Sequence, residues 1–393
     1  MLLCSLYEPP GLSDAPVNLL PLRAFLCRFN RTNTRANTAT RIIERNHYNF
    51  RYSMRQAPDL LATNNSALDV QAKVAFVKAC RAQNELSPLL RFGPYTISLQ
   101  DRAIEPVAPP ADAVIFSTYF SSHLDPQRNT FVDNNAYSYI QPLYESVHQL
   151  GLACIIFHDN LSPEFVAQYT TDKIRFVKTE LGELSLNDER FLIYYEYILR
   201  YGQHIKWLLF SDVSDVVVQK NPFELLQQHP QRLLLGRSNL ERMKHHYGNY
   251  LRVASFARDV QLEMPSAYFD MRIFNAGTIG GATDTLLYLM YQMIYFFKRC
   301  GTENNHNMTI LNYCIYQYWL ESAKCSPVSH LALRKKLLKI AMLVEQQFKI
   351  DLLPRSYHCT NETYQTPTLL AGYPFTSAFK QFEKDSTAYL VHK

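Results

Sequence analysis

The chain has 393 residues, 47% of them hydrophobic, and a formal net charge of +5. This length allows one large domain with an extension or two ordinary domains, and the hydrophobic content excludes a largely disordered protein. Only 12 glycines stand against 26 tyrosines and 23 phenylalanines, which excludes fibrous or linker-rich chains and favours an aromatic-rich packed interior.

The first part of the chain, residues 1–110, is predicted to be a mainly helical and irregular N-terminal extension. Its positive charge lies between Arg23 and Arg55, where eight arginines face one acid. Such a stretch fits a phosphate-rich partner or a membrane surface, and the alternative is an Arg-rich solvated helix face. Because no nucleic-acid-binding module accompanies it, we expect no nucleic-acid partner. The composition of 67–84 favours a helix, and a Pro-rich run at 105–110 predicts a domain boundary.

The sequence gives no sign of a transmembrane segment. Its longest uncharged apolar run, Thr285–Phe297, has 13 residues, whereas crossing a bilayer takes about 20. The first residues lack the basic region and apolar stretch of a secretory signal. We therefore expect a soluble, cytoplasmic protein, with a secretory lumen or secretion as the alternative.

From residue 111 to 393 the pattern changes to strands that alternate with helices. This alternation predicts an α/β, Rossmann-like domain with a mostly parallel sheet and helices on both faces. In such sheets, ligands bind at the carboxyl ends of the strands, near the point where the strand order reverses. The predicted elements are, in chain order, a strand over 113–119, a helix over 137–151, strands over 153–157 and 173–177, a helix over 188–201 and a strand over 206–210.

The last of these strands runs into an acidic turn, residues 211–215, which carries Asp212 and Asp215 between two apolar runs. Carboxylates in apolar surroundings need compensation of their charge. A divalent cation with oxygen ligands supplies it, and a diphosphate would complete the coordination shell of the metal. The alternative is a plain turn, in which Asp212 caps backbone amides and Asp215 begins the next strand. From the turn alone, both interpretations stay open.

A second polar segment, residues 272–281, has the sequence Arg-Ile-Phe-Asn-Ala-Gly-Thr-Ile-Gly-Gly. Glycines let a ligand approach the backbone closely, and Asn275 offers a donor and an acceptor that suit sugar hydroxyls. The spacing of the glycines excludes a dinucleotide-binding fingerprint. The alternative is a glycine-rich hairpin without a ligand. The residues predicted to bind substrate here are Asn275, Ala276, Gly277, Gly280 and Gly281.

Together, the acidic turn and the Asn-Ala-Gly segment resemble motifs of GT-A glycosyltransferases, which use nucleotide-sugar donors. In these enzymes an Asp-x-Asp motif follows a central strand and holds a metal ion against the diphosphate. The resemblance covers residues 111–360 and includes the continuation Asn221-Pro222-Phe223. Among GT-A enzymes, the chain resembles the general pattern of the glycogenin-like and plant xylosyl- and galactosyltransferase-like groups. The spacing departs from the motif: if Asp215 matches the last acid, Val213 stands where the first is usual, and Asp212 takes its place.

The resemblance implies further site residues near the end of the domain. A family segment with an acid near the acceptor or anomeric carbon is similar to residues 307–312, with Asn307 in place of the acid. Because an amide cannot act as a general base, this departure favours a retaining mechanism without an enzymic base. His306 is a candidate polar contact, and a helix cap is the alternative for this segment. A late histidine as third metal ligand indicates His358, whereas His392 is set aside as disordered chain.

The same resemblance places the nucleotide at the end of the first predicted strand. Thr118 and Tyr119 are candidates to contact the base or ribose. Arg190, early in the helix that precedes the metal strand, is a candidate to reach the diphosphate. A surface ion pair on that helix is the alternative for Arg190.

The resemblance thus implies a glycosyltransferase with Mn²⁺ or Mg²⁺ on Asp212, Asp215 and His358. It would transfer a sugar, with retention, from a UDP-linked donor to a hydroxyl of a glycan, protein or small molecule. Catalytic roles fall to Asp215, Asn275 and Asn307. The substituted acid and the unusual spacing motivate a second hypothesis, a catalytically inactive GT-A protein that binds nucleotide or acts as a scaffold. A nucleotidyl- or phosphotransferase would need a Gly- and Lys-rich loop, which the sequence lacks.

Overall fold

A computed structural model describes most of the chain between residues 60 and 392. The sheet and its helices belong to one compact unit that begins at Pro58. The described residues are 60–61, 66–126, 129–237, 247–262, 273–300, 305–320, 363–372, 375–378 and 388–392.

Helices and strands alternate through most of this unit. The α-helices are α1 (Ala67–Ala82), α2 (Tyr137–Gln149), α3 (Pro163–Tyr169), α4 (Leu186–Tyr201), α5 (Pro222–Gln228), α6 (Tyr247–Asp259), α7 (Thr283–Phe297) and α8 (Asn307–Cys314), with a 3₁₀ turn at Ser87–Leu90 and a π turn at Ile315–Trp319. The strands are β1 (Arg91–Phe92), β2 (Tyr95–Thr96), β3 (Ala113–Tyr119), β4 (Leu124–Asp125), β5 (Thr130–Phe131), β6 (Cys154–His158), β7 (Ile174–Lys178), β8 (Trp207–Ser211), β9 (Val216–Val218), β10 (Leu233–Arg237), β11 (Phe274–Ala282), β12 (Thr363–Gln365), β13 (Leu369–Gly372), β14 (Thr376–Ala378) and β15 (Leu390–His392). None of the helices within the described ranges is long and apolar enough to span a membrane.

The main sheet is mixed, and its parallel half lies around β3. Hydrogen-bonded neighbours follow the order β12-β13-β10-β11-β8-β3-β6-β7. Strands β8, β3, β6 and β7 are parallel, whereas β11 is antiparallel to both of its neighbours. The chain moves outward from β3 through β6 and β7 and then returns to β8 on the other side of β3. A topological switch point therefore lies between β3 and β8, and their carboxyl ends, Tyr119 and Ser211, mark the expected ligand edge.

Successive residues of β3 face two different cores. Val114 and Phe116 belong to the core that includes α4 and α7, and Ile115 and Tyr119 belong to the core that includes α2.

The predicted α/β fold is confirmed, and the elements predicted between residues 113 and 210 begin and end within two residues of the observed ones. The sheet contains more antiparallel pairing than predicted, because an apolar run indicates a buried strand but not its direction.

The described part of the predicted N-terminal extension shares the core of the sheet. Val77 of α1 and Phe92 of β1 are fully buried in the same cluster as α4 and α7. The Pro-rich run begins beside β7, the outermost strand of the sheet. There the Glu105 N–H donates to the carbonyl of Lys178, the last residue of β7, at 2.9 Å. The predicted boundary at residue 110 consequently falls inside the compact unit.

Arg81 connects this early segment to the sheet. Its guanidinium contacts Asp284 at 2.6 Å and donates to the carbonyls of Gly202, Gln203 and Ile205 at 3.0–3.2 Å. Two of these carbonyls follow the C-cap of α4, where helix carbonyls lack partners within the helix. One nearly buried cation therefore joins α1, the end of α4 and the start of α7.

We expect Arg81→Ala to lower the free energy of unfolding by about 2–4 kcal/mol, because it leaves the largely buried carboxylate of Asp284 without its cationic partner. Urea denaturation measures this. Lys206→Ala is the control: Lys206 pairs with Asp112 at 3.1 Å but is 72% exposed, so its loss should change stability by less than about 0.5 kcal/mol. Equal effects of the two substitutions would contradict the role given to Arg81.

Candidate metal centre

The acidic turn joins β8 to β9 at the ligand edge of the sheet. Val213 is 3% exposed and packs into the core. The side chains of Asp212 and Asp215 are 30% and 32% exposed. The turn thus buries its valine and leaves an acid on each side of it half-buried at the edge. Val213, one of the two residues between the acids, is therefore part of the core and cannot carry a metal ligand in place of Asp212.

His392 completes a cluster with the two acids. It lies on β15, which pairs antiparallel with β9 so that His392 stands opposite Val216. Its Nε2 is 3.5 Å from Oδ2 of Asp212 and 3.7 Å from Oδ1 of Asp215, and the three candidate ligand atoms lie within 4.8 Å of one another. The expectation of disordered chain at His392 is wrong, because its side chain is only 8% exposed on a paired strand. The predicted ligand His358 lies outside the described residues.

Arg190 reaches the cluster from α4, at the side of Asp212. Its guanidinium forms an ion pair with Oδ1 of Asp212 and donates to the carbonyl of Ala276 at 3.0 Å. The Asp212 N–H in turn donates to the carbonyl of Gly277 at 2.8 Å. The alternative of a surface ion pair for Arg190 is wrong, since its side chain is 7% exposed. Helix α4, the acidic turn and β11 therefore meet around one buried cation.

The charges of the cluster compensate one another. Burial alone would raise the pKa of Asp212, but Arg190 and His392 outweigh it and hold this pKa well below its usual range. Burial alone would lower the pKa of His392, whereas the hydrogen bond to Asp212 and the charges of Asp212 and Asp215 raise it to about 9. At neutral pH the cluster therefore combines two carboxylates with a guanidinium and an imidazolium.

Gly277 leaves the space in which the cluster forms. A Cβ atom at this position would overlap Oδ2 of Asp212 and Cε1 of His392, well inside van der Waals contact. The backbone of β11 can approach the acidic turn only because residue 277 has no side chain. Sequence reasoning placed Gly277 at a ligand, and the structure places it directly behind two candidate metal ligands.

The donor set fits a divalent cation. Two carboxylates and an imidazole provide oxygen and nitrogen donors of the kind that divalent cations accept. Oδ1 of Asp215 is buried and faces Nε2 of His392 at 3.7 Å, which is too far for a hydrogen bond, so a cation between them would satisfy it. The separations of 3.5 and 3.7 Å from His392 Nε2 approach the spacing of about 3 Å between neighbouring ligands around a small cation. The cluster can therefore bind a metal once His392 releases its proton.

The Asn275–Gly277 segment meets the cluster through its backbone. The carbonyls of Ala276 and Gly277 accept the hydrogen bonds from Arg190 and Asp212. The side-chain Oδ1 of Asn275 accepts from the Gly277 N–H at 2.7 Å. These three predicted residues are thus brought together, and Asn275 also orders the backbone behind the acids.

Gly280 and Gly281 lie farther along β11, opposite Leu209 and Leu208 of β8. A Cβ atom on Gly280 would lie 3.1 Å from Leu226, so this glycine allows close packing. The structure does not bring these two predicted substrate residues to the cluster.

The end of β3 reaches the same sheet edge, but its two predicted residues differ. Tyr119 is fully buried; its hydroxyl donates to the carbonyl of Asp133 and accepts from the Ala136 N–H at 2.9 Å. Thr118 is half-buried beside it. Tyr119 therefore holds the chain before α2, and of the two only Thr118 retains exposed surface at this edge.

Asn307 begins α8, and its polar groups are occupied within the protein. Its Nδ2 donates to the Asn187 carbonyl at 3.3 Å, its Oδ1 accepts from the Met308 N–H, and its own N–H donates to Asp188 at 2.7 Å. Asp188 also accepts from the His306 N–H at 2.9 Å. Burial raises the pKa of Asp188 to about 7, although these amide hydrogen bonds lower it in part.

Sequence reasoning missed Asp188 and His392. Asp188 stands in the first turn of α4, a position where an acid is ordinarily explained by its own helix. His392 follows the apolar Leu390-Val391, and that short apolar run was the available signal for a strand.

No protein-family model and no curated protein matches the chain, so the function is argued from the geometry of the cluster.

We expect Gly277→Ala to abolish Mn²⁺ binding, because the added methyl group displaces Asp212 or His392. Titration calorimetry with Mn²⁺ measures this. Gly281→Ala is the matched control, since the contacts of its Cβ atom begin at an ordinary 3.6 Å, and it should bind like the wild type. Normal Mn²⁺ binding by Gly277→Ala would contradict the proximity of β11 to the ligands.

The raised pKa of His392 predicts a pH-dependent stability without metal. A group whose pKa is higher in the folded protein stabilises it fully below the unfolded value, 6.5, and loses this contribution as the pH rises through about 9. In EDTA, wild type should therefore lose stability relative to His392→Gln between pH 6.5 and 9, on the order of 3 kcal/mol. Urea denaturation at several pH values measures the difference, and a constant difference would contradict the assignment.

Proposed function

We propose that this protein is a metal-dependent glycosyltransferase of GT-A type that uses a nucleotide-sugar donor. The observation that carries the proposal is the Asp212–Asp215–His392 cluster at the carboxyl end of β8. It stands at the switch point of the sheet, where α/β proteins bind nucleotides and their phosphates. The parallel half of the sheet and the adjacent Asn275–Gly277 segment support the same assignment.

The chain's own residues have distinct tasks in this proposal. Asp212, Asp215 and His392 hold the cation, and Arg190 orients Asp212 through the oxygen that faces away from His392. When bound, Mn²⁺ or Mg²⁺ stabilises the negative charge that develops on the departing diphosphate. Arg190 contributes to metal binding as the partner of Asp212, because its loss would alter both the position and the charge environment of that ligand.

A retaining transfer to an acceptor hydroxyl fits the residues at α8. Asn307 is an amide, and both of its side-chain atoms are engaged by neighbouring backbone groups. It therefore offers no base for the acceptor hydroxyl. The same observation supports the second candidate, an inactive GT-A protein that binds a nucleotide diphosphate and a metal without transferring a sugar.

Incubation with UDP-glucose, UDP-galactose or UDP-xylose and Mn²⁺ distinguishes these functions. Wild type should release UDP from at least one donor as the sugar is transferred to water in place of the acceptor hydroxyl. The rate should fall at least about 100-fold in both Asp215→Asn and His392→Ala, because each substitution removes a metal ligand. Asp112→Asn is the matched control, since Asp112 is a 55% exposed acid just before the amino end of β3. It should leave the rate unchanged.

Two other outcomes are informative. Mn²⁺-dependent binding of UDP without UDP release from any donor would favour the inactive binding protein. Equal UDP release by wild type, Asp215→Asn and His392→Ala would contradict the metal centre itself.

A further inference from the structure

The turn before α8 contains two buried side chains whose polar atoms are not used. His306 is 1% exposed and Asn305 is 7% exposed. Both ring nitrogens of His306, and both Nδ2 and Oδ1 of Asn305, lack a hydrogen-bond partner among the described residues. Leaving each such atom unsatisfied costs about 1–3 kcal/mol. Four unsatisfied atoms on two adjacent residues are a binding feature that the packing of the protein does not explain.

The neighbouring residues of this turn are, by contrast, fully engaged. The amide of Asn307 bonds to backbone groups on both sides. Asn312, one turn further along α8, accepts from the Phe274 N–H at 2.8 Å and donates to the Phe274 carbonyl at 2.9 Å. The side chain of Asn307, for which a catalytic role is predicted, is therefore engaged within the turn, whereas the free hydrogen-bonding capacity belongs to Asn305 and His306.

The turn is connected to the metal cluster through contacts of neighbouring residues. Met308, two residues after His306, receives a hydrogen bond on its sulfur from the Ala276 N–H at 3.2 Å. Ala276 accepts the hydrogen bond from Arg190 and precedes Gly277, which stands behind Asp212 and His392. A second path runs through α4: Asp188 accepts hydrogen bonds from the His306 and Asn307 N–H groups, and two residues later Arg190 pairs with Asp212. Two short paths of contacts therefore connect the turn to the cluster.

We propose that Asn305 and His306 form a subsite that binds hydroxyl groups of the sugar in the nucleotide-sugar donor. This inference rests on the proposed glycosyltransferase function. A sugar hydroxyl both donates and accepts, as a neutral imidazole and an amide require. A second metal is not favoured, because within the described ranges no other group of three ligand atoms besides Asp212, Asp215 and His392 is close enough.

The surroundings of His306 support a neutral imidazole. Burial lowers its pKa, and Arg252 and Arg258 act in the same direction, while Asp259, 3.9 Å from Nε2, opposes them. The ring also packs near Phe256, with centroids 6.4 Å apart. The imidazole therefore keeps one donor and one acceptor, which is the pattern that a hydroxyl group matches.

The test measures donor binding and stability in Asn305→Leu and His306→Phe. Replacing an unsatisfied buried polar group by an apolar group of similar shape should leave the melting temperature unchanged or raise it. In titration calorimetry with Mn²⁺, both variants should bind UDP like the wild type. Each should bind the tightest of UDP-glucose, UDP-galactose and UDP-xylose about tenfold more weakly, which corresponds to about 1.4 kcal/mol.

Asn312→Leu is the matched control for stability, because it makes the same change at an amide whose hydrogen bonds are formed. Its melting temperature should fall clearly. The subsite would be overturned if Asn305→Leu and His306→Phe both bind donor as tightly as wild type does. This is the result expected if these polar atoms bind only water. The subsite would also be overturned if wild type binds UDP and every donor with equal affinity. Lower melting temperatures together with weaker UDP binding in both variants would overturn the subsite as well.

Failure of the proposed function has a different signature. In that case wild type would bind neither UDP nor any of the three donors in the presence of Mn²⁺, and the sugar subsite would fall with it. Wild type that binds Mn²⁺ and UDP, with variants that bind donor normally, would remove the subsite alone.

Discussion

The buried ion pair between Arg190 and Asp212 is the contact on which the candidate site depends. It joins three elements that are distant in sequence, because Arg190 also bonds to the backbone of β11. Removing one partner from a buried pair leaves an uncompensated charge, at a cost of about 3–5 kcal/mol. Asp212 is half-buried and close to a second acid, so without the guanidinium its charge would be poorly tolerated there. The position of the two acids therefore depends on Arg190 of α4 as well as on the turn that carries them.

The same balance of charge suggests how a metal would be accepted. Two carboxylates are offset by a guanidinium and an imidazolium in the metal-free protein. A divalent cation that displaces the proton of His392 replaces one positive charge by two. The occupied site would then carry an excess positive charge at the sheet edge, which is the electrostatic condition for attracting a diphosphate. The protein thus keeps its acids ionised and ordered before any ligand arrives.

The sequence allowed the sheet and the acidic turn to be predicted, because buried strands and charged turns are local patterns. It also indicated Gly277, although not that a side chain there would overlap two ligands. The remaining contacts depend on packing over long distances in the chain. Nothing in the sequence near His392 specifies its pairing with β9, and Asn307 could not be told from Asn305 until their hydrogen bonds were known. Residue type indicated a polar turn, and only the fold determined which amide is free.

The position of His392 has a consequence for how the protein responds to metal in its surroundings. Its partners Asp212 and Asp215 lie nearly half the chain away, so the three donors come together only when the sheet and β15 are in place. An unfolded chain has no such site, and by mass action all of the binding energy adds to the folded state. A metal concentration one hundred times its dissociation constant would add about 2.7 kcal/mol. The thermal tolerance of the protein would then follow the metal supply of its compartment.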